Sequence, residues 1–162
     1  MVIILMGVSG CGKTTVGELL AQDLNLPFYD ADDFHPETNV KKMESGIPLN
    51  DDDRKPWLKE LALQIKKWNR NDGAVLACSA LKDTYREMLV ADSNRNEVQF
   101  VYLKGSKKLI AERLKQRSGH YMPPKLLDSQ FEALEEPDDA VIMPINHSPE
   151  KISERIIAHL NL

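Results

Sequence analysis

Cysteine is nearly absent from this chain of 162 residues, with only Cys11 and Cys78 present. They form no CxxC pair and have no metal-ligand neighbourhood, so neither a disulfide framework nor a structural zinc site holds the fold together. This usage predicts a reducing compartment, the cytoplasm. Long apolar runs are also missing. The longest, such as Val2-Ile3-Ile4-Leu5-Met6, are far too short to span a bilayer, and the start carries no charged leader or cleavage site, so neither a membrane span nor a signal peptide is expected. Positive charge is in deficit, with 21 Lys and Arg against 25 Asp and Glu and a net charge of -4, which argues against general affinity for nucleic acid. Small molecules are therefore the expected partners. No internal repeat, low-complexity tract or linker divides the chain. One domain of this length buries about 70% of the surface its unfolded chain would expose, so an ordinary apolar core suffices.

What the chain does have begins at residue 7. Gly7-Val8-Ser9-Gly10-Cys11-Gly12-Lys13-Thr14 is a GxxxxGKT phosphate-binding loop, directly after an apolar run and directly before the helical stripe Val16, Leu19, Leu20 and Leu24. Glycines let the backbone curl so that its N–H groups point inward at phosphate oxygens. Lys13 can reach the β- and γ-phosphates, and the Thr14 hydroxyl can ligate Mg²⁺. The helix that follows presents its positive end to the same anion.

Beyond the loop, near-continuous apolar strands at residues 2–6, 27–29, 74–78, 98–103 and 141–145 alternate with helical stripes. That pattern predicts an α/β fold with a parallel sheet covered on both faces. Between the second and third strands lies an insertion, residues 34–71. Its second half, with Trp57, Leu58, Leu61, Ile65 and Trp68 at helical spacing, reads as an amphipathic helix with its tryptophans in the core. Further helices are expected from Lys82, after the N-cap Ser106, and from the Ser148-Pro149 cap pair.

Four polar constellations bear on chemistry. Asp30-Ala31-Asp32-Asp33 ends the second strand, where ligands of open α/β sheets collect. One carboxylate there can enter a metal's shell and another accept the proton of an attacking hydroxyl, although an acidic turn with capping aspartates explains the same spacing. Asp51-Asp52-Asp53-Arg54-Lys55-Pro56 reads first as a helix start with Pro56 near N1. Cys78-Ser79-Ala80-Leu81-Lys82 with Tyr85-Arg86 brings a hydroxyl to the same crevice, and Arg54, Lys82 and Arg86 would suit an anionic group such as a carboxylate. Arg113 and Arg117 lie one helical turn apart, before Gly119-His120-Tyr121-Met122 and Pro123-Pro124. They read either as a hinged flap whose arginines close on a triphosphate or as a solvated surface pair. His35, beside Pro36, is open to a substrate role or a structural hydrogen bond.

Taken in order, these motifs resemble the gluconokinases, within the P-loop small-molecule kinases that include shikimate and nucleoside monophosphate kinases. The match runs nearly end to end. Besides the loop it includes Asp30 to Pro36, Asn39 with Lys42-Met43, Gly46, Pro48-Leu49, and residues 51–58. It continues through residues 78–82 with Tyr85-Arg86, Tyr102-Leu103-Lys104-Gly105, Glu112-Arg113-Leu114, Arg117, Gly119-His120, Ser129-Gln130-Phe131 and Leu134-Glu135-Glu136-Pro137.

The resemblance implies a P-loop NTPase fold of three α/β/α layers, with strand order 2-3-1-4-5 and helical lid insertions, in a single kinase domain. It also implies transfer of the ATP γ-phosphoryl to the 6-hydroxyl of D-gluconate, a Mg²⁺ requirement and a homodimer. On this analogy Lys13, Asp30, Asp32 and Arg117 are catalytic. Gly7, Val8, Ser9, Gly10, Cys11, Gly12, Lys13, Thr14, Thr15, Arg113 and Arg117 hold the nucleotide, and Thr14 and Asp30 the metal. Asp32, His35, Arg54, Ser79, Lys82 and Arg86 face the sugar acid. Residues 34–71 become a substrate lid and 117–130 an ATP lid.

A carboxylate calls for a cation and a row of hydroxyls calls for paired donors and acceptors, which these residues supply. Cys11 stands where relatives often carry Ser. A thiol at a helix N-terminus can have a lowered pKa, so oxidant sensitivity relieved by ATP is expected. Tyr121 replaces a common Phe. Alternatives in view are a kinase of another hydroxy acid, shikimate-like or idonate-like, and a non-catalytic nucleotide-binding regulator. No Asn-Lys-x-Asp guanine motif is present.

Overall fold

A computed structural model describes residues 1–117 and 124–162. The glycine, histidine and tyrosine of the expected flap, Gly119, His120 and Tyr121, lie outside the described residues, as do Met122 and Pro123. The five strands are β1 (Val2–Met6), β2 (Phe28–Asp30), β3 (Ala74–Ala77), β4 (Val98–Lys104) and β5 (Val141–Pro144). They form one sheet in the order β2-β3-β1-β4-β5, and every pairing is parallel, as expected. β1 is central because it is apolar at all five positions and buried at all five. Only a strand with neighbours on both edges and helices on both faces can use such a sequence. Its register sets Ile4 opposite Leu76 on one side and Phe100 on the other. All carboxyl ends consequently lie along one edge.

Among the described residues seven α-helices cover the sheet: α1 (Lys13–Leu24), α2 (Glu37–Glu44), α3 (Asp51–Arg70), α4 (Asp83–Val90), α5 (Lys107–Gln116), α6 (Pro124–Ala133) and α7 (Pro149–Leu160). Period-two alternation sends Val2, Ile4 and Met6 to a core with α3 and α4, where Trp57, Leu61, Trp68 and Leu89 are buried. Ile3 and Leu5 face the other core, with Val16 and Leu20 of α1, Ile110 of α5 and Ile152 and Ile156 of α7. The tryptophans of the insertion are thus structural, as their spacing predicts. Trp68 stacks on Tyr29 with centroids 4.3 Å apart, and Trp57 Nε1–H donates to the Ala31 carbonyl at 2.7 Å.

Two boundaries shift and one helix is added. β2 reaches one residue further, to Asp30. Ahead of the expected amphipathic helix the insertion holds α2, whose only large apolar residues, Val40 and Met43, give too little stripe to announce it. Pro56 is the sixth residue of α3, not near N1, because Asn50 caps the helix upstream. Asn50 Oδ1 accepts from the Asp53 amide at 2.8 Å and Asp53 Oδ2 accepts from the Asn50 amide at 3.0 Å, a reciprocal capping box. The Ser106 and Ser148 caps form as expected.

α1 crosses β2 closely. A Cβ on Gly17 would lie 2.5 Å from Phe28 Cε1 and 3.3 Å from Leu5 Cδ1, so the better helix former cannot be used there. Gly17→Ala is expected to destabilise the fold by about 1–3 kcal/mol despite its helix propensity, measured by urea denaturation.

Candidate active site

The site is built on the turn between β1 and α1. Gly12 caps α1 in the left-handed region, φ +99°, and no side chain accepts from the helix. The amides of the first turn therefore have no partner within the helix, and Val16 N–H, bonded to the Gly12 carbonyl at 2.9 Å, is the first one satisfied. Gly10 also has positive φ, +83°, and a Cβ there would meet Leu114 Cγ at 2.8 Å, so α5 packs directly on the loop. Lys13 Nζ curls back to donate to the carbonyls of Gly7 and Val8 at 2.9 and 3.1 Å. Thr14 and Thr15 are exposed. The loop is joined to β3 where Gly7 N–H donates to the Ser79 carbonyl at 3.2 Å, which fixes Ser79 beside the phosphate loop. Gln130 of α6 clamps the loop's outer side: its Oε1 accepts from the Ser9 amide at 2.7 Å and its Nε2 donates to Ser9 Oγ at 2.9 Å.

At the next strand end, Asp30 Oδ1 accepts from the Asp32 amide at 3.0 Å and caps a 3₁₀ turn, residues Ala31–Phe34. The capping alternative is therefore true of Asp30, and it leaves its second oxygen free. Asp32 has 81% of its side chain exposed. Crowding by surrounding protein, followed by the Asp30 charge, raises its carboxyl above the ordinary value; Lys13 pulls it down and Asp33 pushes it up. At that exposure water blunts the crowding, so we assign the rise chiefly to Asp30. The influence of Lys13 places Asp32 within electrostatic reach of the phosphate loop.

His35 is 4% exposed at its side chain, stacks on Trp57 with centroids 4.2 Å apart, and brings Nε2 to 3.8 Å from Asp32 Oδ1. Burial first, and then the Arg54 charge, lower its pKa.

Across the cleft the amino-terminal turn of α3 meets α4. The Tyr85 hydroxyl and Lys82 Nζ both donate to Asp51, the latter at 3.3 Å, and these bonds hold the Asp51 carboxyl below its usual value. Arg54 Nη1 donates to the Leu49 carbonyl at 2.8 Å, and its guanidinium lies over the Tyr85 ring, 5.7 Å from the centroid. Lys82 Nζ lies 5.5 Å from the same centroid. Arg54 and Lys82 thus share one aromatic platform.

Arg86 does not join them. It is 5% exposed and donates to the Ala80 carbonyl at 2.6 Å, to the Glu135 carbonyl at 2.8 Å and to Asp83, so the expectation that it presents a cation to an acid substrate is corrected. It ties the turn after β3 to the segment after α6. Arg113 donates from Nη2 to the Ile145 carbonyl. Arg117 ends α5, exposed. Cys11 is 1% exposed, which removes the basis for oxidant sensitivity, and burial pushes the Cys78 thiol up to about 12.

Gln130, Asn39, Asp51 and Tyr85 make contacts at the site that their place in the sequence motifs does not announce. Their signal was a polar residue inside an otherwise helical segment, which does not tell a surface from a contact.

The nucleotide loop between β1 and α1, the strand order and the helical insertion between β2 and β3 together define a P-loop kinase of small molecules, an enzyme of the phosphotransferase class. The shikimate kinase family model matches residues 9–161. A probable gluconokinase of Dictyostelium discoideum is 45% identical over 99% of this chain and 86% of its own. The thermosensitive gluconokinase of Escherichia coli strain K12 is 44% identical over 94% and 83%. The crystal structure of a gluconokinase from Sinorhizobium meliloti 1021 superposes with a TM-score of 0.89 at 39% identity, covering 99% of this chain and 91% of that one. The chain belongs to the gluconokinase family of P-loop kinases.

Arg86→Met is expected to lower the unfolding free energy by about 2–4 kcal/mol, read by urea denaturation, because it strands the Ala80 and Glu135 carbonyls. Unchanged stability with a raised KM for the acid substrate would return Arg86 to the substrate side.

Proposed function

We propose that this protein transfers the γ-phosphoryl group of ATP to the 6-hydroxyl of D-gluconate, giving 6-phospho-D-gluconate and ADP. The observation that carries the reading is a juxtaposition: an uncapped helix N-terminus, the Asp32 carboxylate within electrostatic reach of Lys13, and the Arg54–Lys82 pair on Tyr85 share one sheet edge. Its relatives among gluconokinases support the acceptor.

In this reading the segment from Gly7 to Thr15 holds the triphosphate through its amides other than those of Gly7, Ser9 and Cys11, which are bonded within the protein, and Lys13 exchanges its two carbonyl partners for phosphate oxygens. The acceptor hydroxyl gives its proton to Asp32 as its oxygen bonds to the γ-phosphorus and the bond from that phosphorus to the bridging oxygen breaks. Lys13 and Arg117 neutralise charge developing on the transferred group. Arg54 and Lys82 take the substrate carboxylate, while Ser79 and His35 meet its hydroxyls.

The residues present fit Mg²⁺. Thr14 Oγ1 is exposed at the helix start and Asp30 keeps one oxygen free, while among the described residues no three His, Cys, Asp or Glu side chains gather into a cage. A cation held by one or two protein oxygens plus phosphates and waters is the usual state of Mg²⁺. Held by Thr14 and Asp30, Mg²⁺ would supply Lewis-acid withdrawal of charge from the transferring group.

The same proposal makes residues 34–71 the sugar-acid lid and 117–130 the ATP lid, the latter touching the loop through Gln130. It also includes a homodimer, supported by the family resemblance and tested by sedimentation, and a cytoplasmic site of action, supported by the two buried unpaired cysteines.

A coupled ADP-release assay with ATP and Mg²⁺ across sugar acids tests the reading. Gluconate is expected to turn over best, and strong turnover of shikimate or an idonate-like acid with none of gluconate overturns it. Asp32→Asn is expected to lower kcat by more than it raises KM. The raised Asp32 carboxyl keeps its proton to higher pH than an ordinary aspartate, so activity is lost as pH falls through a value above the usual one. Asp33→Asn removes a like charge and should move that acidic limb downward in a pH profile of kcat/KM.

A further inference from the structure

We propose that Asn39 is a positioning residue: it fixes His35 as the neutral tautomer protonated on Nε2, so that His35 Nε2–H and Asp32 Oδ1 grip the reacting hydroxyl of the acceptor together. The identity of that hydroxyl rests on the proposed kinase function; the tautomer does not.

Asn39 lies on α2 and is 2% exposed, although its segment is otherwise polar. Its Nδ2 donates to the Asp53 backbone carbonyl at 2.8 Å and lies 3.2 Å from His35 Nδ1. A backbone carbonyl only accepts, so the amide nitrogen must face it. Turning the amide over would set Oδ1 against that oxygen. The second hydrogen of the same nitrogen then points at His35 Nδ1, which must offer a lone pair. A neutral imidazole that accepts at Nδ1 carries its proton at Nε2. A doubly protonated ring would turn N–H against N–H.

The ring plane is also set. Trp57 stacks on it at an interplanar angle of 15° and is itself held by the Ala31 carbonyl. Burial and the Arg54 charge of α3 oppose protonation of the imidazole and lower its pKa, while Asp32 of the 3₁₀ turn, a carboxylate 3.8 Å from Nε2, pulls the other way. The Asp53 carboxylate of α3 is taken by Lys42 of α2 at 2.8 Å and by the Asn50 amide.

The 3.8 Å from Nε2 to Asp32 Oδ1 is too long for a direct hydrogen bond. It suits a shared partner, because a hydroxyl oxygen about 2.8 Å from each can donate to the carboxylate and accept from the imidazole. Such a hydroxyl has its proton directed at Asp32 and one lone pair at His35. The remaining lone pair is left for phosphorus. Asn39 touches no substrate in this arrangement; it acts through His35.

Nitrogen-15 NMR of the labelled protein reads the tautomer directly, with His35 assigned by its loss in His35→Gln. The expected pattern is a neutral ring protonated at Nε2, and a ring protonated at Nδ1 or on both nitrogens overturns the proposal. Asn39→Asp offers only acceptors to Nδ1 and should move the proton there. The expected result is a drop of about tenfold to a hundredfold in kcat/KM for the acceptor, with KM for ATP unchanged; unchanged acceptor kinetics overturn the proposal.

Should that variant fail to fold, His35→Phe and His35→Gln decide. Phe should show the same loss, and Gln, whose amide donates from nearly the same point without any tautomer, should recover part of it. Equal activity of the two overturns the proposal. If gluconate proves not to be the acceptor, the NMR result still stands and the kinetics are read with the acceptor that is. If gluconate turns over normally and the tautomer is wrong, only this inference falls.

Discussion

The first turn of α1 has amide donors with no acceptor among the described residues, and the organisation of the catalytic edge follows from that deficiency. The glycine cap at residue 12 supplies no side-chain oxygen, and Gly7, Gly10 and Gly12 all carry positive φ through the loop. Holding such an arrangement together costs stability, and the surrounding bonds offset the cost. β1 is pinned between β3 and β4, the Ser79 carbonyl anchors Gly7, Leu114 packs on Gly10 and Gln130 clamps Ser9. Lys13 is held by the carbonyls of Gly7 and Val8, so its ammonium is already directed inward. An anion arriving here exchanges partners with a preformed surface and orders little new chain.

The acceptor side is organised on a different principle. Its donors and acceptors are mostly satisfied internally: Asp51 by Tyr85 and Lys82, Asp53 by Lys42 and the capping box, and Arg54 by Leu49. All of these contacts join the α2–α3 insertion to itself or to α4. Asp32 is the exception, exposed, electrostatically strained by Asp30 and without a direct hydrogen-bond partner at its side chain among the described residues. That contrast marks it out more sharply than its place in an acidic run does.

Most of the fold was legible in the sequence because its signals were local. The all-apolar β1, the stripe of α3 and the Ser106 and Ser148 caps each depend on neighbours a few residues away. α2 was not legible, since a polar octet held by a buried Asn39 has no periodic face to read. At the site, the loop could be read because its chemistry lies in consecutive residues. Arg86 misled for the opposite reason: its partners include the backbone carbonyl of Glu135 in a distant segment, which no residue type announces. Cys11 misled because helix position suggested reactivity, while its burial depends on how Gly7 and the loop close over it.

The outer strand β5 has a further consequence for how copies of this molecule can meet. In a parallel strand the N–H groups alternate between the two sides, and the Ile145 amide turns inward to the Lys104 carbonyl at 3.0 Å. Residues 142 and 144 therefore face outward, and Pro144 has no hydrogen to offer. A foreign strand laid along this margin would find its ladder broken after one rung. The opposite margin is only the three residues of β2. Lateral growth of the sheet into an aggregate is thus discouraged at both ends.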